Sequence, residues 1–105
     1  MENKDNKYKV IISDRASDML ISHARFLAQV SEQVAQDLIE KFKASAKSLE
    51  SLPERNPRLH VPYMPINKYR KLLLDKQYLL IYQIKAGVVY VDYFVDCRQD
   101  YELLL

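Results

Sequence analysis

The sequence predicts an α+β domain: one β strand, two helices, then three β strands, with the helical hairpin packed on one face of a mainly antiparallel four-stranded sheet. Three observations carry this. Apolar residues recur at spacings of three and four between Ala16 and Leu52. Val, Ile, Leu and Tyr crowd the stretch from Tyr69 to Asp96. Between the two regimes, Pro53, Pro57, Pro62 and Pro65 break any regular period.

Taken in order, Tyr8-Lys9-Val10-Ile11-Ile12 is a short β-prone run closed by Ser13-Asp14, either of which can cap a helix by accepting a bond from a free backbone N–H. Ala16, Met19, Leu20, His23, Phe26, Leu27 and Val30 form one apolar stripe on a helix of about four turns. Ser31 interrupts and caps again. A second stripe, Val34, Ala35, Leu38, Ile39, Phe42, Ala46, Leu49 and Leu52, ends at Pro53. Helices joined so tightly form an antiparallel hairpin, and neither buries its stripe without a sheet to lie on.

Glu54 to Lys68 reads as an extended, proline-held loop. Tyr69–Leu74, Tyr78–Ile84 and Val88–Asp96 read as strands. Lys76-Gln77 and Lys85-Ala86-Gly87 separate them at hairpin lengths, with Gly87 free to take a positive φ in a three-residue loop. Strict alternation along the last strand sends Val89, Val91, Tyr93, Val95 and Cys97 toward the helices. It sends Tyr90, Asp92, Phe94, Asp96 and Arg98 to the opposite face, which no helix is left to cover. That bare face is the expected interaction surface, with Phe94 as an exposed apolar contact.

A chain of 105 residues has material for one domain, 1–105. The single Cys97 forms no internal disulfide, and alternation places it inward as a structural thiol. Met1 to Lys9 is charged and polar rather than signal-like, and no apolar run is long enough to span a bilayer, so the expected location is cytoplasmic and off the membrane. A net charge of +2 permits nucleic-acid contact without predicting it. The tyrosines, concentrated from Tyr69 to Tyr101, fit a half-buried sheet better than a base-stacking platform. No Cys/His cluster has metal-ligand spacing and no glycine loop cradles a phosphate; neither a metal nor a nucleotide cofactor is expected. His23 reads as a half-buried stripe residue and His60 as an ordinary loop residue.

The C-terminal third carries a family resemblance. Tyr69-Arg70-Lys71-Leu72-Leu73-Leu74, Tyr78-Leu79-Leu80-Ile81-Tyr82-Gln83-Ile84, Val88-Val89-Tyr90-Val91 and Arg98-Gln99-Asp100-Tyr101 resemble the three-strand signature of RelE/ParE toxins. Leu49-Glu50-Ser51-Leu52-Pro53 leading into the proline-rich loop is similar to the family's N-terminal half, and the likeness spans about residues 7 to 103.

The resemblance implies the toxin component of a type II toxin–antitoxin system, with a cognate antitoxin as partner. It implies growth inhibition by one of two routes, metal-independent endoribonuclease cleavage of mRNA on the ribosome or non-enzymatic inhibition of DNA gyrase. A decayed toxin that only binds its antitoxin is a third outcome.

For the ribonuclease the resemblance places Arg70, Arg98 and Tyr101 as catalytic candidates, with Lys68, Lys71, Lys76 and Phe94 as substrate contacts. Cleavage needs cations around the charged phosphorane and a group to move protons. Against it, no histidine occupies the last strand, and Asp92 and Asp96 share the expected substrate face. Arg70 has the alternative role of pairing with Asp92 or Asp96 across the sheet, and Tyr101 that of a C-terminal anchor. The terminal Leu103-Leu104-Leu105 is either a partner contact or packed on the core.

Overall fold

The computed structural model describes residues 7–105. Elements follow the expected order: β1 (Lys9–Ile12), α1 (Asp14–Ala28), α2 (Glu32–Ser48), β2 (Arg70–Leu74), β3 (Tyr78–Lys85) and β4 (Val88–Asp96), with 3-10 turns at Pro53–Arg55 and Tyr101–Leu104. The sheet order is β1-β4-β3-β2. The β2–β3 and β3–β4 pairs are antiparallel, whereas β1 runs parallel to β4, so the sheet is mixed.

Both helices start where serines permit. Ser13 Oγ accepts from the Ala16 N–H at 3.0 Å and Ser31 Oγ from the Val34 N–H at 3.3 Å, each satisfying a donor that the first turn leaves free. α2 stops at Ser48, short of the expected Leu52. Leu49 is its buried cap, while Leu52 sits in the left-handed region at φ 49° and is 70 % exposed. That turn swings Pro53 into the core, where its carbonyl accepts from the Tyr82 hydroxyl at 2.6 Å. The β3–β4 hairpin also differs: Lys85 pairs with Val88, leaving only Ala86 and Gly87 between them, both at positive φ. Two residues of that kind match the twist of the flanking strands. Between β2 and β3, Asp75 and Lys76 take positive φ instead.

β4 departs furthest from the expected alternation. Ile81 pairs with Tyr93 and Tyr82 with Val91, so Asp92 has no partner on β3. One extra residue bulges the strand and breaks its alternation. Ahead of the bulge Val89 and Val91 face the helices, as the pattern predicts. Beyond it the faces exchange. Phe94, fully buried, stands edge-on to Phe42 at 5.2 Å and joins the helix-side core with Leu38, Leu49, Leu80 and Tyr82. Tyr93 and Val95 turn to the reverse face, and Cys97 packs against the same cluster.

That reverse face is not bare. Leu59 and Val61 from the proline-rich loop bury against Leu79, Ile81, Tyr93 and Val95, and Tyr101 and Leu105 pack on the same cluster. Tyr63 donates a hydrogen bond to the Glu102 carbonyl and Tyr93 to that of Leu105, tying the C-terminal segment to the loop and the sheet. The protein's own chain fills the surface expected to take a substrate. Of the terminal leucines, Leu105 packs inward while Leu103 and Leu104 stay exposed.

Because Phe94 is core rather than surface, Phe94→Ala is expected to destabilise the protein by about 3–5 kcal/mol, read from urea unfolding. A change under about 0.5 kcal/mol, ordinary for a surface position, would contradict this placement.

Candidate functional site

The bulge also decides which face Arg98 follows, while Arg70 is placed by the regular β2–β3 register. Arg70 lies opposite Tyr82 on β3, while Asp96, two residues before Arg98, lies opposite Tyr78. Four residues along a strand is about 13 Å. The two arginines line different cavities at opposite ends of β3. Tyr101 packs on the reverse face, where burial, and less so Glu102, raises its hydroxyl pKa. The three residues do not converge.

Nor does Arg70 pair with Asp92 or Asp96; its guanidinium donates to the Asn56 carbonyl at 2.7 Å. Asp92 instead accepts from the Tyr69 hydroxyl at 3.0 Å and from Gln83 at 2.7 Å. Burial, reinforced by that carboxylate, drives the Tyr69 phenol well above its ordinary value. The substrate-contact lysines scatter as well. Lys68 lies over the Tyr69 ring at 5.3 Å, Lys71 pairs with Ile81 and borders the cavity beside Leu73 and Leu79, and Lys76 is in the β2–β3 turn. Phe94 is unavailable, being wholly buried.

Arg98 belongs to the larger cavity, a groove of about 880 Å³ between α1 and the Tyr78–Asp96 end of the sheet. Its floor is aromatic: Tyr78 stacks on Phe94 at 5.0 Å, and His23 meets both rings edge-on at 5.3 and 5.6 Å. Arg98 closes one end. Its Nε and Nη2 donate to the two carboxylate oxygens of Asp96 at 3.1 and 2.9 Å, its backbone N–H adds 2.9 Å, and Gln77 donates at 3.4 Å. These bonds hold the Asp96 carboxyl below its ordinary pKa against the opposing effect of burial. Burial lowers the His23 pKa, opposed by the Asp96 charge. Phe26, 69 % exposed, and Leu104, 54 % exposed, form apolar walls.

The smaller cavity, about 290 Å³, is polar and lined by Glu54, Arg58, Asn67, Lys68, Arg70 and Ile84. Among the described residues no three His, Cys, Asp or Glu side chains converge as metal ligands, and no helix is long and apolar enough to cross a membrane. Sequence reasoning missed the groove and Arg58. The stripe held the signal for the groove: it runs on to Phe26 and Val30, past Ala24, the last fully buried residue of α1.

A helical hairpin on a mixed four-stranded sheet, with an aromatic-floored groove beside α1, defines a small α+β domain. The family of ParE toxins of type II toxin–antitoxin systems (parDE) matches residues 10–101, and the chain belongs to that family, within the RelE/ParE superfamily. Among solved structures it is similar in fold to a chain of the chromosomal ParDE toxin–antitoxin system from P. aeruginosa, with a TM-score of 0.71 and 12 % identity over 88 % of this chain and 98 % of that one. No curated protein sequence matches.

Two pH windows follow from the groove. The neutral His23 is favoured by folding, so its contribution is present above the free-imidazole value near 6.5 and fades as pH falls below it. The ionised Asp96 is also favoured by folding. Its contribution is present above the ordinary carboxyl value and is lost as pH falls through the lowered one. Thermal melts should show His23→Phe flattening the stability decline that sets in below about pH 6.5, and Asp96→Asn flattening the limb below about pH 4. Unchanged limbs in both variants would contradict the assignment.

Proposed function

We propose that this chain is the toxin of a type II toxin–antitoxin pair that acts by contact with a protein target rather than by cutting RNA. By the family resemblance that target is DNA gyrase. A cognate antitoxin occupies the α1 groove in the resting state.

One observation carries the non-cleaving reading: the candidate catalytic arginines are separated and one is committed. Arg98 satisfies a buried carboxylate with its two forked donors. Freeing it for a phosphate leaves Asp96 charged, buried and short of partners, an unfavourable exchange. RNA cleavage also needs a cation and a proton-transfer group around one phosphate, and Arg70, Arg98 and Tyr101 are distributed over three regions of the surface.

The antitoxin assignment is supported by family membership and by the exposed apolar walls of the groove, Phe26 and Leu104, with Val30 88 % exposed on the same overhang. Exposed apolar surface of this kind marks partner sites, and a groove suits an amphipathic helix.

The test expresses the protein alone in growing cells and maps RNA 5′ ends, alongside a supercoiling assay with purified gyrase. The expected outcome is an unchanged pattern of message ends, an induced DNA-damage response and inhibited supercoiling. Codon-phased cleavage of translated messages that is lost in Arg98→Ala would overturn the contact mechanism in favour of a ribonuclease.

A further inference from the structure

The smaller cavity holds an unusual pairing. The segment around Arg58 runs antiparallel to the start of β2 as a partial fifth strand. The Leu59 N–H donates to the Tyr69 carbonyl at 2.9 Å and the Lys71 N–H to that of Pro57 at 3.0 Å, with an isolated bridge directly between Arg58 and Arg70. Two like charges directly opposite each other across such a bridge destabilise it. Both side chains are half-buried, and each is held by a backbone carbonyl: Arg58 by Asn67 at 3.3 Å and Arg70 by Asn56 at 2.7 Å. Lys68 adds a third cation to the lining. Among the described residues the ion pairs are Lys41–Asp75, Lys47–Glu50 and Arg98–Asp96, so neither guanidinium has a carboxylate partner among those residues. Among the described residues the one acid lining the cavity is Glu54, which accepts from the Tyr8 hydroxyl at 2.8 Å.

We propose that the Arg58–Arg70 cleft is a carboxylate-binding site that receives an Asp or Glu side chain of a partner protein segment, and that it anchors the antitoxin at a second point away from the α1 groove. The assignment rests on the toxin reading above only for the identity of the partner. An entering carboxylate relieves the cross-strand repulsion and meets two forked donors suited to paired hydrogen bonds. Ile84 offers an apolar wall for the methylene stem.

A nucleic-acid backbone fits less well. It needs a continuous track of cations and, when single-stranded, aromatic faces for the bases. Among the described residues the lining contains no aromatic ring, Tyr69 nearby is buried, Lys71 pairs toward the reverse face and Arg98 is bound to Asp96. Glu54 adds repulsion at the rim.

Two measurements test the site. In the first, the arginine Nε–Hε resonances of the full chain are followed by NMR during titration with a capped hexaglutamate peptide and, separately, with hexauridylate. Arg58 and Arg70 signals are expected to move with the peptide and to stay in place with the oligonucleotide. No movement with the peptide overturns the site, and a larger response to hexauridylate overturns the protein assignment in favour of RNA.

In the second, calorimetry compares wild type with Arg58→Gln/Arg70→Gln for binding to the antitoxin encoded beside this gene. The double variant is expected to bind at least about 10-fold more weakly at low salt and to show a shallower salt dependence. Equal affinities overturn the anchor while leaving the toxin reading intact; an antitoxin that binds neither protein counts against the toxin reading, and the peptide titration still decides the site. A folding artefact is separable, because relieving the repulsion in Arg58→Gln alone should leave Tm unchanged or raise it by roughly 1–3 °C. A clear fall in Tm would mean that Arg58 serves the fold instead.

Discussion

Asp92 is the residue on which the arrangement turns. As the unpaired residue of the β4 bulge it sits between two β3 partners, Tyr82 and Ile81, that take Val91 and Tyr93 on either side of it. Its own groups are well satisfied: the carboxylate accepts from Tyr69 and Gln83, and its carbonyl accepts from the Ser13 hydroxyl at 3.2 Å. Those bonds fix the bulge to three neighbouring elements. Everything downstream inherits the half-turn that it imposes. Phe94 completes the helix-side core, Asp96 follows it to the same side, and Arg98 is drawn to the carboxylate it neutralises. Without the bulge, Phe94, Asp96 and Arg98 would lie on the face that alternation predicts.

A second constraint is one of length. α1 carries its apolar stripe beyond the part of the sheet that can cover it, so Ala16, Leu20 and Ala24 are buried while Phe26 and Val30 project. The overhang leaves a groove whose floor is already ordered by the Tyr78–Phe94 stack and by His23. An ordered floor lowers the entropic cost of receiving a partner. On the opposite face the protein has done the reverse, spending its loop and C-terminal segment to cover apolar strands. The two faces have therefore exchanged the roles that a simple count of helices assigns them.

Much of the fold was legible because it depends on local signals. Ser13 and Ser31 announce helix starts, Pro53 bars α2 from running through it, and the change from period 3.6 to strand-like composition marks the passage to the sheet. The family resemblance came from the order and spacing of the same strands, and the match over residues 10–101 bears it out. Alternation was reliable for Val89 and Val91 and failed from Tyr93 onward, because the pattern V-Y-V-D-Y-F-V-D has apolar residues on both sides of Asp92 and conceals the extra residue. The site was less legible for a related reason. The residue types at Arg70, Arg98 and Tyr101 made them candidates by resemblance alone, whereas their convergence depends on register, strand ends and a covering loop. Arg58 gave no signal at all; its meaning arises only when the loop folds back against β2.

The most direct test is a set of aromatic NOEs in solution. If the bulge sets the faces, the Phe94 ring shows cross-peaks to Phe42 and Tyr78, and the Tyr93 ring shows them to Tyr69, whose centroid lies 5.9 Å away. Cross-peaks from Tyr93 to Phe42, with Phe94 lacking contacts to either helix, would mean that β4 alternates without interruption, and the placement of Asp96 and Arg98 beside α1 would lose its basis.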